Sequence, residues 1–355
     1  MHVRPQRTKI SNFKFKMGNS IIEYCSKYKY LGTHINEFLD YDKMVAELLG
    51  SANRALGSVI CKMKKNGGFP LNTYKLIVDS CVNSISDYGA EVLGFLKHPS
   101  AEDVHNRALR AFLGLKKTTP TWGIKSEMGW MEPKSRCHIK MIRYFFHVNN
   151  LPDSRITKKV FLFDQKFSKY GTVNCWSTEV FDILQKNGFG QYYYLPGNKN
   201  ITSSIKDSLM KTDAQSFYNS CLSQPKLRTY VKITNFENAN IYLTKPLTFT
   251  QKANVAKFKL GVLPLRLETG RFCRPKLPET SRICEQCNSN SIENEIHFAL
   301  YCSKHNNIRK AFLNSIVIPS SIQTDYELIN YLLYNNTTIK PFAQYIIDCY
   351  SNRIT

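Results

Sequence analysis

The sequence predicts a mainly α fold: a small amino-terminal antiparallel β element followed by several helical regions. Three observations point there. Polar and apolar residues alternate before residue 37, helical spacing takes over from Asp40, and a Cys/His cluster interrupts the helices near the carboxy-terminal end.

The β element comes first. "NFKFKM" alternates, Gly18-Asn19 supplies a turn, and "SIIEYC" resumes the strand pattern, which is a hairpin signal. "KYKYLGTHI" continues it, with Tyr28 and Tyr30 on one face and Lys27 and Lys29 on the other.

From Asp40, Met44, Leu48, Leu49, Ala52, Leu56, Val59, Ile60 and Met63 recur at helical spacing. Asp40 and Asp42 are candidate caps, and "NGG" at 66–68 is a stop. Helices are expected next at about 71–85, 101–115, 133–150, 153–170 and 175–188. Helix then continues to about 260, with breaks at "LPGNKN" and near Pro225. Amphipathic helices at about 305–314, 324–334 and 338–352 close the chain. "YYYLPGNKNITSS" reads as the main internal boundary, and no internal repeat is visible.

With 355 residues, 43% hydrophobic and 12% aromatic, the chain can bury two or three cores. No stretch approaches the roughly 20 apolar residues of a membrane helix. "MHVRPQRTKIS" is not followed by the apolar segment of a secretory signal. The eleven cysteines are scattered, which argues against a disulfide framework. An intracellular protein, in the nucleus, the cytoplasm or both, is expected, with no membrane partner.

The net charge is +22, beyond the magnitude of about 2–8 usual for solubility of a small domain. Lys and Arg outnumber Asp and Glu by 14 to 8, 16 to 8 and 14 to 8 in successive hundreds, so the excess runs along the whole chain. Such a field suits a polyanion, and neutralising phosphates makes binding salt-dependent.

The chemistry-bearing motif is Cys284-x2-Cys287-x9-His297-x4-Cys302. A C-x2-C turn lets two thiolates reach one ion, and a later His and Cys complete the tetrahedron zinc prefers. "IENEIHF" is expected to start a helix or short strand, and Glu293 and Glu295 are candidate partners behind the ligands. His305 has ligand-like spacing from Cys302, so the fourth ligand is open between His297 and His305. Four protein ligands leave no open position, so one structural zinc ion is expected.

The densest basic run precedes the cluster: Lys245, Lys252, Lys257, Lys259, Arg266, Arg271, Arg274, Lys276 and Arg282 against Glu268 and Glu279. Its cations are expected on phosphates; Phe258 and Phe272 either stack on bases or pack in a core. Catalytic arrangements are lacking. There is no adjacent Asp pair for two-metal chemistry, no P-loop, no G-x-S-x-G and no H-E-x-x-H. A non-enzymatic protein is expected.

"YKYLGTHINEFLDYDKMVAELLGSANRALGSVICKMKK" and "YKLIVDSCVNSISDYGAEVLGF" resemble the region after the catalytic palm of non-LTR (LINE-type) retrotransposon reverse transcriptases. Tyr28-Lys29-Tyr30-Leu31-Gly32 is similar to the family's Y-x-Y-L-G primer grip, and the helices after it to the thumb. "RALRAFLGLKKTTPTWGIKSEMGWMEPKSRCHIK" resembles the connector, and "GVLPLRLETGRF…RICEQCN…IENEIHFALYCSKHNNIRKAF" the carboxy-terminal zinc-binding segment.

The resemblance spans about residues 1 to 315 and places the fingers, most of the palm and the catalytic aspartates before Met1. It implies residual palm strands and primer grip at 1–36, a thumb-like region at 37–98 and a connector at 99–194. A basic helical region at 195–282, a zinc-binding segment at 283–309 and terminal helices at 310–355 follow.

The expected function is non-catalytic binding of template-primer-like RNA or DNA. Tyr28, Lys29, Tyr30, Leu31, Gly32, Arg54, Lys62, Lys64 and Lys65 form one contact. Lys257, Lys259, Arg266, Arg271 and Arg274 form a second, and Cys284, Cys287, His297 and Cys302 hold zinc. A palm-bearing polymerase subunit is a further candidate partner. The rival expectation is a scaffold, or a transposon relic with no function of its own.

Overall fold

Alternation before residue 37 produces two separate hairpins. β1 (Phe15–Met17) pairs with β2 (Ser20–Ile22), placing Phe15 opposite Ile22. Gly18 turns between them at φ +61°, the left-handed position glycine fills without steric cost. β3 (Lys27–Tyr30) pairs with β4 (Thr33–Asn36), Tyr28 opposite Ile35. The computed structural model describes residues 1–30, 32–96, 99–169, 175–194, 201–234 and 241–354. Leu31 lies outside them, as does most of the boundary expected around "LPGNKN".

Helices build the rest. α1 (Tyr41–Lys65) starts where the Asp40 carboxylate accepts a hydrogen bond from the Lys43 amide. It buries Met44, Leu48, Leu49, Ala52, Leu56, Val59 and Met63 of the stripe its spacing predicts and leaves Ile60 half-buried. α2 (Leu71–Val78) runs through a π-turn at Asp79–Asn83 into α3 (Ser84–Ser86) where one continuous helix was expected. The cause is local. The Ser80 and Ser84 hydroxyls donate to backbone carbonyls four residues back, and Asn83 donates to the Asp79 carboxylate, so side chains compete with the helical ladder.

α4 (Ala90–Leu93), α5 (Pro99–Leu113), α6 (Thr121–Met128), α7 (Pro133–Asn149), α8 (Ile156–Lys169) and α9 (Trp176–Lys186) follow. The expected regions did not include α6, which lies between Pro120 and Gly129. α10 (Ile201–Leu222), α11 (Tyr230–Ile233), α12 (Phe249–Lys259) and α13 (Arg266–Thr269) lead to the Cys/His segment. α14 (Asn306–Asn314), α15 (Asp325–Tyr334) and α16 (Ile339–Ile354) come last, close to the expected bounds. Thr324 and Glu327 form a capping box at the start of α15.

Two apolar clusters hold these helices. The larger joins α1, α2, α5 and α6 to α12, α15 and α16, so residues from Ala52 to Cys349 share one core. In it Tyr74 stacks on Phe112 at 5.1 Å and donates its buried hydroxyl to the Ala108 carbonyl, while Phe312 stacks on Tyr345 at 4.5 Å. The smaller joins α7, α8, α9 and the first half of α10 around Phe145, which lies 5.7 Å from Phe161 and 5.0 Å from Tyr193.

Polar pins couple the two clusters. The Asp213 carboxylate on α10 accepts from the Glu132 amide and the Ser135 hydroxyl, capping α7 from outside its own chain segment. Lys125 is buried, 2.7 Å from Glu132 and 3.4 Å from Glu102, with the Trp122 ring 4.9 Å from its ammonium.

Gly114 closes α5 at φ +62°, and a Cβ there would lie 2.8 Å from the Ala253 Cβ. Gly114→Val combines left-handed strain with overpacking, and a loss of about 2–4 kcal/mol is expected in urea unfolding. Gly67→Ala is the control. It meets the same left-handed strain in open space and should cost only about 1 kcal/mol.

Candidate metal centre and basic groove

The Cys/His segment folds as a hairpin followed by one wide helical turn. Ile283 bridges Ile292, the Cys284 amide donates to the Ser291 carbonyl, and the Glu293 amide donates to the Arg282 carbonyl. The C-x2-C pair therefore sits at the hairpin tip. Asn294 then caps the His297 amide, and residues 297–301 form a π-turn that the Cys302 amide closes onto the His297 carbonyl.

This path brings the Cys284, Cys287 and Cys302 sulfurs and one His297 ring nitrogen within 4.8 Å of one another. Cys284 Sγ is 3.9 Å from Cys302 Sγ, and Cys287 Sγ is 3.4 Å from His297 Nε2. Zinc–sulfur bonds of about 2.3 Å in a tetrahedron separate sulfurs by about 3.8 Å, so these spacings fit one ion. The four residues form a candidate metal site compatible with one zinc. His305 is not among them: it is buried edge-on against Phe298 and beside the Asn352 amide, so the fourth position falls to His297.

Burial favours the neutral forms of three of the four donors. Burial pushes the Cys284 thiol up to about 12 and raises Cys302, and burial lowers His297. Burial also raises Cys287, but hydrogen bonds from Ser289 outweigh it and bring that thiol down to about 7. A divalent cation bound here would displace the thiol protons.

Among the described residues Glu293 and Glu295 make no hydrogen bond to the four donors. Glu293 accepts two hydrogen bonds of 2.9 Å from Arg353, and Glu295 accepts from the Thr229 hydroxyl at 2.7 Å. They tie the segment to α16 and to the turn before α11.

The expected phosphate contacts divide sharply. Tyr28, Lys29 and Tyr30 are exposed on β3, Gly32 is exposed in the turn after it, and Arg54, Lys62, Lys64 and Lys65 are exposed on α1. Arg274 is exposed, and Lys257 is half-buried, with burial and then the Lys116 charge lowering its pKa. Lys259 is a correction. Its side chain is fully buried, 2.8 Å from the equally buried Glu127, with Tyr242, Tyr334 and Tyr230 rings 4.9, 5.2 and 5.7 Å from the ammonium. Helix α12 is enclosed on most sides, so Lys252 and Lys259 turn inward instead of reaching phosphates.

Other cations of that run are engaged as well. Lys252 is buried, Arg282 is buried on the Leu267 and Leu277 carbonyls, Arg266 pairs with Glu285 and Arg271 with Glu268. Phe258 packs in the core, whereas Phe272 is exposed.

The structure adds a groove that the sequence reading missed. It lies between α1 and α5, encloses about 1070 Å³, and is lined by Lys64, Arg107, Arg110, Lys116 and Lys117 with one carboxylate, Asp103. Arg107 donates to the Asn53 carbonyl at 3.0 Å, which fixes its guanidinium at the rim. Lys64, Arg107, Lys116 and Lys117 are exposed. The signal was present: "RALRAFLGLKK" spaces its cations away from Ala108, Leu109 and Phe112. Among the described residues no helix is long and apolar enough to cross a membrane. Protein-family models, curated proteins and solved structures yield no match to the chain.

Proposed function

We propose that this chain is a non-catalytic nucleic-acid-binding protein derived from the post-palm part of a non-LTR retrotransposon reverse transcriptase. The observation that carries the reading is the α1/α5 groove, with five cations facing one carboxylate. The backbone of an RNA–DNA or similar duplex lies along it, held by Lys64, Arg107, Arg110, Lys116 and Lys117, with Arg54, Lys62 and Lys65 on α1 as outer contacts. Tyr28 and Tyr30, exposed on β3, offer faces for an unpaired base. Cys284, Cys287, His297 and Cys302 hold one structural zinc ion, which cross-links the hairpin to the π-turn and leaves no position for substrate.

Fluorescence anisotropy with an RNA–DNA hybrid at several salt concentrations tests this. Affinity should fall steeply as salt rises, and Arg107→Glu with Lys116→Glu and Lys117→Glu should weaken binding at least tenfold. The same triple change should flatten the slope of log K against log salt by about 3, close to one for each phosphate the variant no longer neutralises. A flat salt response, or a triple variant that binds as the parent does, ends the proposal.

A second reading, a scaffold that pairs with another chain, draws on one feature. Phe15, Met17, Ile21 and Ile22 are all exposed on the first hairpin, which presents unpaired strand edges. A palm-bearing polymerase subunit is the partner this reading names, and polymerase activity gained on mixing the two chains is its test.

A further inference from the structure

A second cavity, of about 460 Å³, opens at the seam between the two apolar clusters, away from the α1/α5 groove. α2, the π-turn after it, α5, α7 and α10 all line it. Its apolar wall is Trp130, Met131, Ile139 and Met210, and five cations face the same space: Lys75, Arg136, Lys140, Arg143 and Lys206.

The carboxylates present are already engaged. Asp87 accepts two hydrogen bonds from Arg136, at 3.0 and 3.1 Å, and one from Ser86; Asp79 accepts from Asn83 at 2.7 Å. Lys140 donates to the Asp87 carbonyl at 3.0 Å. Lys75, Arg143 and Lys206 are exposed at the mouth and form no ion pair with a described residue. Three positive charges are therefore left for a ligand.

His105 also lines the cavity. It is buried, and its Nδ1 lies 3.5 Å from the Arg136 guanidinium. A guanidinium only donates, so Nδ1 accepts and the ring hydrogen sits on Nε2. That Nε2 is buried with no hydrogen-bond partner among the described residues, out of reach of the cavity's solvent.

We propose that this cavity binds a nucleoside monophosphate group. The phosphate sits among Lys75, Arg143 and Lys206, and the base lies against Trp130 and Met131. The volume falls within the range of about 300–1,000 Å³ typical of small-ligand pockets. A free nucleotide and the 5′-phosphorylated end of a strand share this chemistry. The site is independent of the α1/α5 groove.

Isothermal titration of the full chain with AMP, GMP, adenosine and inorganic phosphate is the test, repeated on an Arg143→Ala, Lys206→Ala variant. Both side chains are exposed, so the variant should keep its fold. Saturable binding of a monophosphate, at least tenfold tighter than adenosine or phosphate and weakened at least tenfold by the variant, supports a free-nucleotide site. If AMP and GMP fail, a short oligonucleotide with and without a 5′-phosphate is titrated into the groove-disabled triple variant. A 5′-phosphate preference of tenfold or more, abolished when Arg143 and Lys206 are also replaced, supports a strand-end site.

Equal affinity for inorganic phosphate and nucleotide overturns the proposal. So does the absence of saturation by any of these ligands at about 1 mM. Mononucleotide binding that survives in the groove variant separates this result from the fate of the duplex reading.

Discussion

Purified Cys302→Ser protein is expected to contain no bound zinc and to unfold at markedly lower temperature than the parent, which should carry one ion per chain. The sulfur is buried and lies 3.9 Å from Cys284, so serine removes a soft ligand without opening the site to another. Zinc contributes about 10–16 kcal/mol of apparent binding energy in zinc-finger peptides, much of it expressed as folding.

Here the loss would spread beyond the hairpin. Arg309 donates to the Cys302 carbonyl, Tyr345 donates to the Ala299 carbonyl, and Arg353 holds Glu293, so α14 and α16 are pinned to the centre. A chelator should reproduce the effect on the parent. His305→Ala is the control. It removes an equally buried ring but not a ligand, and should retain one zinc per chain. Full zinc content in Cys302→Ser, or its loss in His305→Ala, would refute the ligand assignment.

Glu127→Ala should cost about 3–5 kcal/mol in urea unfolding, because it strands the Lys259 ammonium in the core without its counter-charge. Total stability of a native domain is only about 5–15 kcal/mol, so this is among the most damaging single changes available. The three tyrosine rings around the ammonium soften the penalty but cannot cancel a charge. Glu127→Leu combined with Lys259→Met should recover most of the loss, since an apolar pair of similar volume needs no partner. A single variant within about 1 kcal/mol of the parent would mean the pair is not the buried charge couple its geometry describes.

Legibility from sequence followed how local the determining interactions are. α1 could be read residue by residue, because its buried stripe and its Asp40 cap are encoded within a few residues of each other. The four metal-site residues were legible for the same reason, through spacing alone. The choice between His297 and His305 was not, because it depends on the π-turn that points one ring at the sulfurs and leaves the other on Phe298.

Lys259 failed for a non-local reason. Its partner, Glu127, stands on a different helix far back in the chain, and nothing near Lys259 announces that α12 is enclosed. The α1/α5 groove shows the converse. Arg107, Arg110, Lys116 and Lys117 were readable as a basic face, but only the packing of α5 beside α1 makes one groove of two helices.

The larger core has a consequence for synthesis. Leu56 and Ile346 share one cluster, so during synthesis the helices around Leu56 wait for part of their cover until residue 346 has been made. The smaller cluster, built between Ile139 and Leu209, draws on nearer neighbours and can close first. Non-local contacts repay their loop-closure entropy late and slow folding. Closure of the larger core therefore waits on its carboxy-terminal helices, α15 and α16.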